Sequence, residues 1–128
     1  MTDRKILIID DEQRIREVLQ LRLSSQGYQV LEAANGEEGV AQALEHSPDL
    51  ILMDVMMPKM DGAEAARVLQ ENPLTKDIPI IFLTAMITRE EESGQIPGSQ
   101  TNAKKHRFIS KPFDTQNLLM EIQKTFVN

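Results

Sequence analysis

A doubly wound α/β fold, with five parallel strands and helices on both faces of the sheet, is what the 128-residue sequence predicts. Three observations predict it. Short apolar runs alternate with longer stretches of helical periodicity in the order βαβαβαβ…βα, the pattern of a parallel sheet with crossover helices. The runs are almost continuously apolar, as strands buried on both faces are. Several of them end on an acid or a hydroxyl, and in an open parallel sheet the ligand crevice lies outside the carboxyl ends of the strands.

The elements follow in order. Lys5 to Asp10 (KILIID) reads as the first strand. Ile15, Val18, Leu19 and Leu23 then recur at helical spacing, and that helix stops near Gly27. Tyr28 to Ala33 is a weaker second strand. Asn35 followed by Glu38 three residues on marks a helix start. Val40, Ala41 and Leu44 are its expected buried stripe, and Ser47-Pro48 its end. Leu50 to Asp54, bounded by Pro48 and Pro58, is the third strand, too short to be a buried helix. Asp61-Gly62-Ala63-Glu64 repeats the cap-plus-acid pattern, Ala65, Val68 and Leu69 supply the stripe, and Asn72-Pro73 closes the helix. Ile78 to Thr84 is the fourth strand, with Pro79 at its edge. Arg107 to Ser110 is a short fifth strand. Leu118, Leu119, Ile122 and Phe126 form the last stripe, capped by Asp114. Between Thr84 and Phe108 a fourth crossover helix is expected to be short or missing, because Ser93-Gly94-Gln95-Ile96-Pro97-Gly98-Ser99 does not support one. At most a turn near Thr88 to Glu92 is expected, with loop through Lys105.

Composition narrows the function. The length suits one domain, residues 1–128, with one core. A net charge of −6 argues against a phosphate-backbone binder, so no direct nucleic-acid contact is expected. The absence of Cys excludes disulfides and thiolate zinc sites. The first apolar run is broken at once by Asp10 and Asp11, and no membrane segment is visible. A cytoplasmic protein is expected.

In a parallel sheet Asp10, Asp11 and Asp54 converge. Two carboxylates about 4 Å apart repel by roughly 4 kcal/mol at an effective dielectric of about 20, and such clusters persist where a cation or proton relieves them. Oxygen ligands without a nearby His suit a hard cation, Mg²⁺ before Zn²⁺. Lys111 would add an ammonium able to pair with phosphate, and Thr84 a hydroxyl donor. Taken singly, each has a plainer explanation: adjacent acids cap helices, a Thr is a surface hydroxyl, a Lys a solvated charge, and Phe108 in a short strand a core residue. The joint arrangement is what points to a metal beside a phosphoryl group.

Over its whole length the sequence resembles the receiver domain of two-component response regulators, of the chemotaxis-regulator-like kind. The resemblance is carried by Ile8-Ile9-Asp10-Asp11-Glu12, by Met53-Asp54-Val55-Met56-Met57-Pro58-Lys59-Met60-Asp61-Gly62, by Phe82-Leu83-Thr84-Ala85 and by Phe108-Ile109-Ser110-Lys111-Pro112-Phe113. It implies a flavodoxin-like sheet of order 2-1-3-4-5. It implies that Asp54 accepts a phosphoryl group from a sensor histidine kinase or phosphotransfer protein. It assigns Mg²⁺ to Asp11 and Asp54 directly, to Asp10 through water and to the Met56 backbone carbonyl. Lys111 would pair with the phosphoryl oxygens, Thr84 would swing in to hydrogen-bond them, and Phe108 would turn inward as the switch aromatic. A cis bond is implied between Lys111 and Pro112. The longer spacing from Thr84 to Lys111 and the Gly/Pro-rich stretch depart from the family pattern on the output face.

Two other classes share parts of this pattern. A Mg²⁺-dependent phosphohydrolase also uses an aspartyl nucleophile, but usually after the first strand in a D-x-D pattern and with a substrate cap. A flavin-binding domain of similar topology needs a phosphate-cradling loop rich in Ser, Thr and Gly after the first strand, which is absent here. The opening Met suggests a natural start, and the chain is expected to be either a free-standing regulator or a receiver of a longer one.

Overall fold

A computed structural model of the chain describes residues 4–55, 62–84, 106–110 and 114–127; at Thr84, His106, Arg107, Phe108, Ser110 and Val127 it describes the backbone alone. The element order is β1 (Lys5–Ile9), α1 (Gln13–Ser25), β2 (Gln29–Ala33), α2 (Gly36–His46), β3 (Leu50–Asp54), α3 (Gly62–Glu71), β4 (Ile80–Thr84), β5 (His106–Ser110) and α4 (Thr115–Val127). The expected fourth-crossover region, including Ser93 to Lys105, lies outside the described residues.

All strand pairs are parallel, and the sheet order is β2-β1-β3-β4-β5. The chain therefore starts inside the sheet, runs outward to β2, and returns across β1 to β3. The order reverses between β1 and β3, which makes their carboxyl ends the topological switch point.

Apolar residues alternate between the two faces of the sheet and build two cores. Leu7, Ile9, Ile51, Met53, Ile80 and Phe82 pack with Ala43 of α2 and Ala65, Ala66 and Leu69 of α3. Ile6, Ile8, Leu50, Leu52, Ile81 and Leu83 pack with Leu19 and Leu23 of α1 and Leu118 and Ile122 of α4. Every residue of β3 is buried, which explains why that strand shows no polar alternation in sequence. Tyr28 stacks against Phe126 at 5.8 Å between ring centroids, and the Arg4 guanidinium lies 4.4 Å from the same ring, tying the last helix to the start of the sheet. Among the described residues, no helix is long and apolar enough to cross a membrane.

Two expected stripes are corrected. In α2 the buried residues are Gly36, Gly39 and Ala43, while Ala41 is exposed, Leu44 is 38 % exposed and Val40 is partly buried. The helix lies so close to β1 that its contact face has no room for large side chains. A Cβ at Gly39 would come within 2.8 Å of Ile9 Cγ1. In α1, Val18 is 49 % exposed, and the buried pair is Leu19 and Leu23, one turn apart on one face.

The predicted ends hold better. Asn35 caps α2, its Oδ1 accepting the Glu38 N–H at 2.9 Å, and Glu38 reaches back to accept the Ala34 N–H at 3.2 Å. Ser47 closes that helix in the left-handed region, at φ 47°. Asp114 Oδ1 accepts the Gln116 N–H at 2.9 Å at the start of α4. Strand ends shift by a residue or two: Asp10 falls just past β1, and β4 begins at Ile80, with the Pro79 carbonyl still accepting the Ile51 N–H at 3.1 Å.

Candidate metal and phosphoryl site

Strand register brings the acids together. Ile9, the last residue of β1, lies opposite Met53 of β3, so the next residue on each of these neighbouring strands is an aspartate, Asp10 and Asp54. Asp11 continues from Asp10 over the same edge. Carboxylate oxygens from Asp10, Asp11 and Asp54 lie within 4.8 Å of one another. Asp10 is fully buried and Asp54 is 5 % exposed, whereas Asp11 faces solvent. Two acids thus form the floor of the site and the third its open rim.

The backbone holding these acids is fixed on several sides. The Asp10 N–H donates to the Ala33 carbonyl at 3.1 Å, and Arg16 Nη1 donates to the Asp10 carbonyl at 2.7 Å. Asp10 Oδ1 accepts the Glu12 N–H at 2.9 Å. On the other strand the Val55 N–H donates to the Leu83 carbonyl at 3.1 Å, and the Val55 carbonyl accepts the Gly62 N–H at 2.8 Å. Gly62 is buried against this peptide: a Cβ there would sit 2.6 Å from the Asp54 carbonyl oxygen and 2.7 Å from Val55 Cα. Glycine is required because backbone packs on backbone.

The donor set fits a hard divalent cation. All three groups are carboxylates, they are close enough to share one ion, and one side is open to solvent for further oxygen ligands. Without a cation the cluster repels itself. Asp11→Asn or Asp54→Asn is therefore expected to raise the melting temperature in EDTA by a few degrees, since about 1 kcal/mol moves Tm by roughly 4 °C in a domain of this size. Thermal unfolding followed by circular dichroism checks this, and an unchanged or lower Tm would count against the repulsion.

Of the remaining predicted residues, Thr84 reaches the same edge. Thr84 ends β4, one residue beyond Leu83, which lies opposite Asp54, and it pairs in register with Ser110 of β5. Phe108 lies opposite Phe82. Met56, Lys111 and Pro112, and with them the proposed carbonyl ligand, the ammonium and the cis bond, lie outside the described residues. Sequence reasoning missed two residues that build the site, Arg16 and Gly62. Gly62 was visible only within a helix start and a family motif, with no packing role attached. Arg16 sits on a helix whose periodicity says nothing about a loop carbonyl.

A parallel sheet of this order with clustered acids at its switch point defines a class, and comparison with known proteins agrees. The family model described as the response regulator receiver domain matches residues 6–123, and the chain belongs to that family. It is a receiver domain of two-component phosphorelay signalling. It is 42 % identical over 123 residues to the phosphate regulon transcriptional regulatory protein PhoB of Pseudomonas aeruginosa, covering 96 % of this chain and 52 % of that one. It is 40 % identical to the transcriptional regulatory protein ResD of Bacillus subtilis, covering 93 % and 46 %. The chain thus spans about half the length of these curated relatives. Among solved structures, the chemotaxis protein CheY4 of Vibrio cholerae superposes with a TM-score of 0.85 at 30 % identity, over 98 % of this chain and all of that one. The receiver domain of the sensor histidine kinase PA1611 of Pseudomonas aeruginosa, solved with a magnesium ion in its active-site cleft, gives 0.82 at 28 % identity, covering 96 % and 97 %.

Proposed function

We propose that Asp54 is the phosphoacceptor and that Asp10, Asp11 and Asp54 form the Mg²⁺ site of this receiver. The observation that carries the reading is the convergence of the three carboxylates within 4.8 Å at the switch point. An Asp54 carboxylate oxygen attacks the phosphorus of a phosphohistidine on a sensor kinase or phosphotransfer protein. The P–O bond forms as the P–N bond breaks, and the imidazole leaves and is protonated from solvent. When bound, Mg²⁺ neutralises the acids and the incoming phosphoryl oxygens. Asp11 and Asp54 would hold it directly and Asp10 through water, with the Met56 carbonyl as the further protein ligand that the family resemblance implies.

The aspartyl phosphate adds about −1.5 to −2 charges and three acceptor oxygens. Lys111 pairs with those oxygens and Thr84 hydrogen-bonds them. The movement of Thr84 lets Phe108 turn inward, changing the β4–β5 face presented to a downstream partner. The chain is a phosphoacceptor that promotes its own phosphorylation and its own slow dephosphorylation, since Met56 offers no polar side chain to orient an attacking water. A net charge of −6 supports output through protein contact, with no direct nucleic-acid binding by this chain.

Incubation with acetyl phosphate and Mg²⁺ tests the reading. Incorporation is expected to level off near one phosphoryl group per chain and to vanish in EDTA. Continuous release of inorganic phosphate far beyond one equivalent per chain would instead identify a phosphohydrolase.

A further inference from the structure

We propose that Arg16 is a positioning residue for the metal site: it sets the aim of the Asp11 carboxylate by clamping the Asp10–Asp11 peptide. The inference rests on the Mg²⁺ reading above and deepens it. Arg16 Nη1 donates to the Asp10 carbonyl at 2.7 Å, short for a hydrogen bond from a guanidinium to a neutral acceptor. That oxygen belongs to the same planar unit as the Asp11 nitrogen and Cα. Fixing it fixes the Asp11 N–Cα bond, the base from which that side chain leaves the backbone. Asp11 is the one solvent-facing member of the acid cluster, so its aim depends most on backbone placement.

The guanidinium is itself held from a second direction. Its Nε donates to Glu32 Oε1 at 3.3 Å, and Glu32 lies on β2 beside Ala33, whose carbonyl accepts the Asp10 N–H. Strand β2 therefore grips Asp10 twice, by its backbone and through Arg16. Helix energetics give no reason for the arrangement. Arg16 is the fourth residue of α1, where the macrodipole disfavours a cation. The Arg16–Glu32 pair is 17 % and 39 % exposed, and an ion pair that exposed adds little stability. The forked donor set is what the site uses: one arm for the carbonyl, one for the carboxylate.

Mg²⁺ titrated calorimetrically into the full chain tests this, with Tm measured for each variant and titrations run well below it. Arg16→Ala is expected to weaken Mg²⁺ binding about tenfold, as loss of a group that orients a metal ligand does. Arg16→Lys, with a single ammonium able to reach the carbonyl, is expected to restore part of that loss. Glu32→Gln is expected to stay within about twofold of wild type, because the amide oxygen still accepts from Nε. Charge alone predicts the opposite signs: deleting a cation beside a cation site would tighten binding, and deleting Glu32 would weaken it. A purely structural Arg16 would lower Tm and leave the affinity unchanged. Wild-type or tighter affinity in Arg16→Ala, or a loss in Glu32→Gln equal to that in Arg16→Ala, overturns the inference. A wild-type chain that binds no Mg²⁺ overturns the proposed function and the inference together.

Discussion

Asp54→Asn is expected to reduce phosphoryl incorporation from acetyl phosphate to background. The substitution keeps the size of the side chain and replaces the attacking carboxylate with a carboxamide, which is not a nucleophile toward phosphorus. Asp54 is the last residue of a strand buried throughout and is itself 5 % exposed, so the strand's apolar residues, Leu50 to Met53, continue to anchor it. The fold is therefore expected to survive, and the relief of repulsion among the acids makes the variant more stable in EDTA. Loss of labelling with a retained or raised Tm separates a missing nucleophile from a collapsed domain. Near-wild-type incorporation in Asp54→Asn would mean that another residue accepts the phosphoryl group.

Gly62→Ala is expected to destabilise the domain by about 2 kcal/mol and to weaken Mg²⁺ binding with it. Two effects oppose each other. Alanine is the better helix former by about 1 kcal/mol, and Gly62 opens α3. Against that, the new Cβ would lie 2.6 Å from the Asp54 carbonyl oxygen and 2.7 Å from Val55 Cα. Those are backbone atoms of the strand that carries the acceptor, and they cannot swing aside as a side-chain tip can. Overpacking wins, and the displaced peptide is the one beneath Asp54. Gly39→Ala is the informative contrast. There the obstruction is the Ile9 side chain and not the backbone beneath an acid, so the metal affinity is expected to change less than in Gly62→Ala. Denaturant unfolding and Mg²⁺ titration of both variants check this. A Gly62→Ala protein as stable as wild type would contradict the close packing of Gly62 on the Asp54–Val55 peptide.

The strands and the acid cluster were legible in the sequence because both depend on local pattern. Four apolar residues and an acid, bounded by two prolines, read as a buried strand, and Leu50 to Asp54 is β3 to the residue. Both strands end on an acid, and the observed register, Ile9 opposite Met53, places Asp10 beside Asp54. The face of α2 was not legible. Apolar periodicity picks out Val40, Ala41 and Leu44, but the helix approaches β1 through Gly36, Gly39 and Ala43. Small residues carry no hydrophobic signal, and only tertiary contact reveals their use. Val18 shows the same limit in α1, where one apolar residue of the periodic set faces solvent at 49 % exposure. Arg16 and Gly62 act on carbonyls of other elements, a type of contact that side-chain periodicity does not encode.

Manganese added to ¹⁵N-labelled chain tests the central claim most directly, because the paramagnetic ion broadens only the amides around its own binding site. Broadening is expected at Asp10, Asp11 and Asp54 together, at the same Mn²⁺ concentration, and is expected to be reversed by excess Mg²⁺. Broadening spread over the acidic surface, or confined to Asp11 while Asp54 stays sharp, would contradict a single site assembled from the ends of β1 and β3.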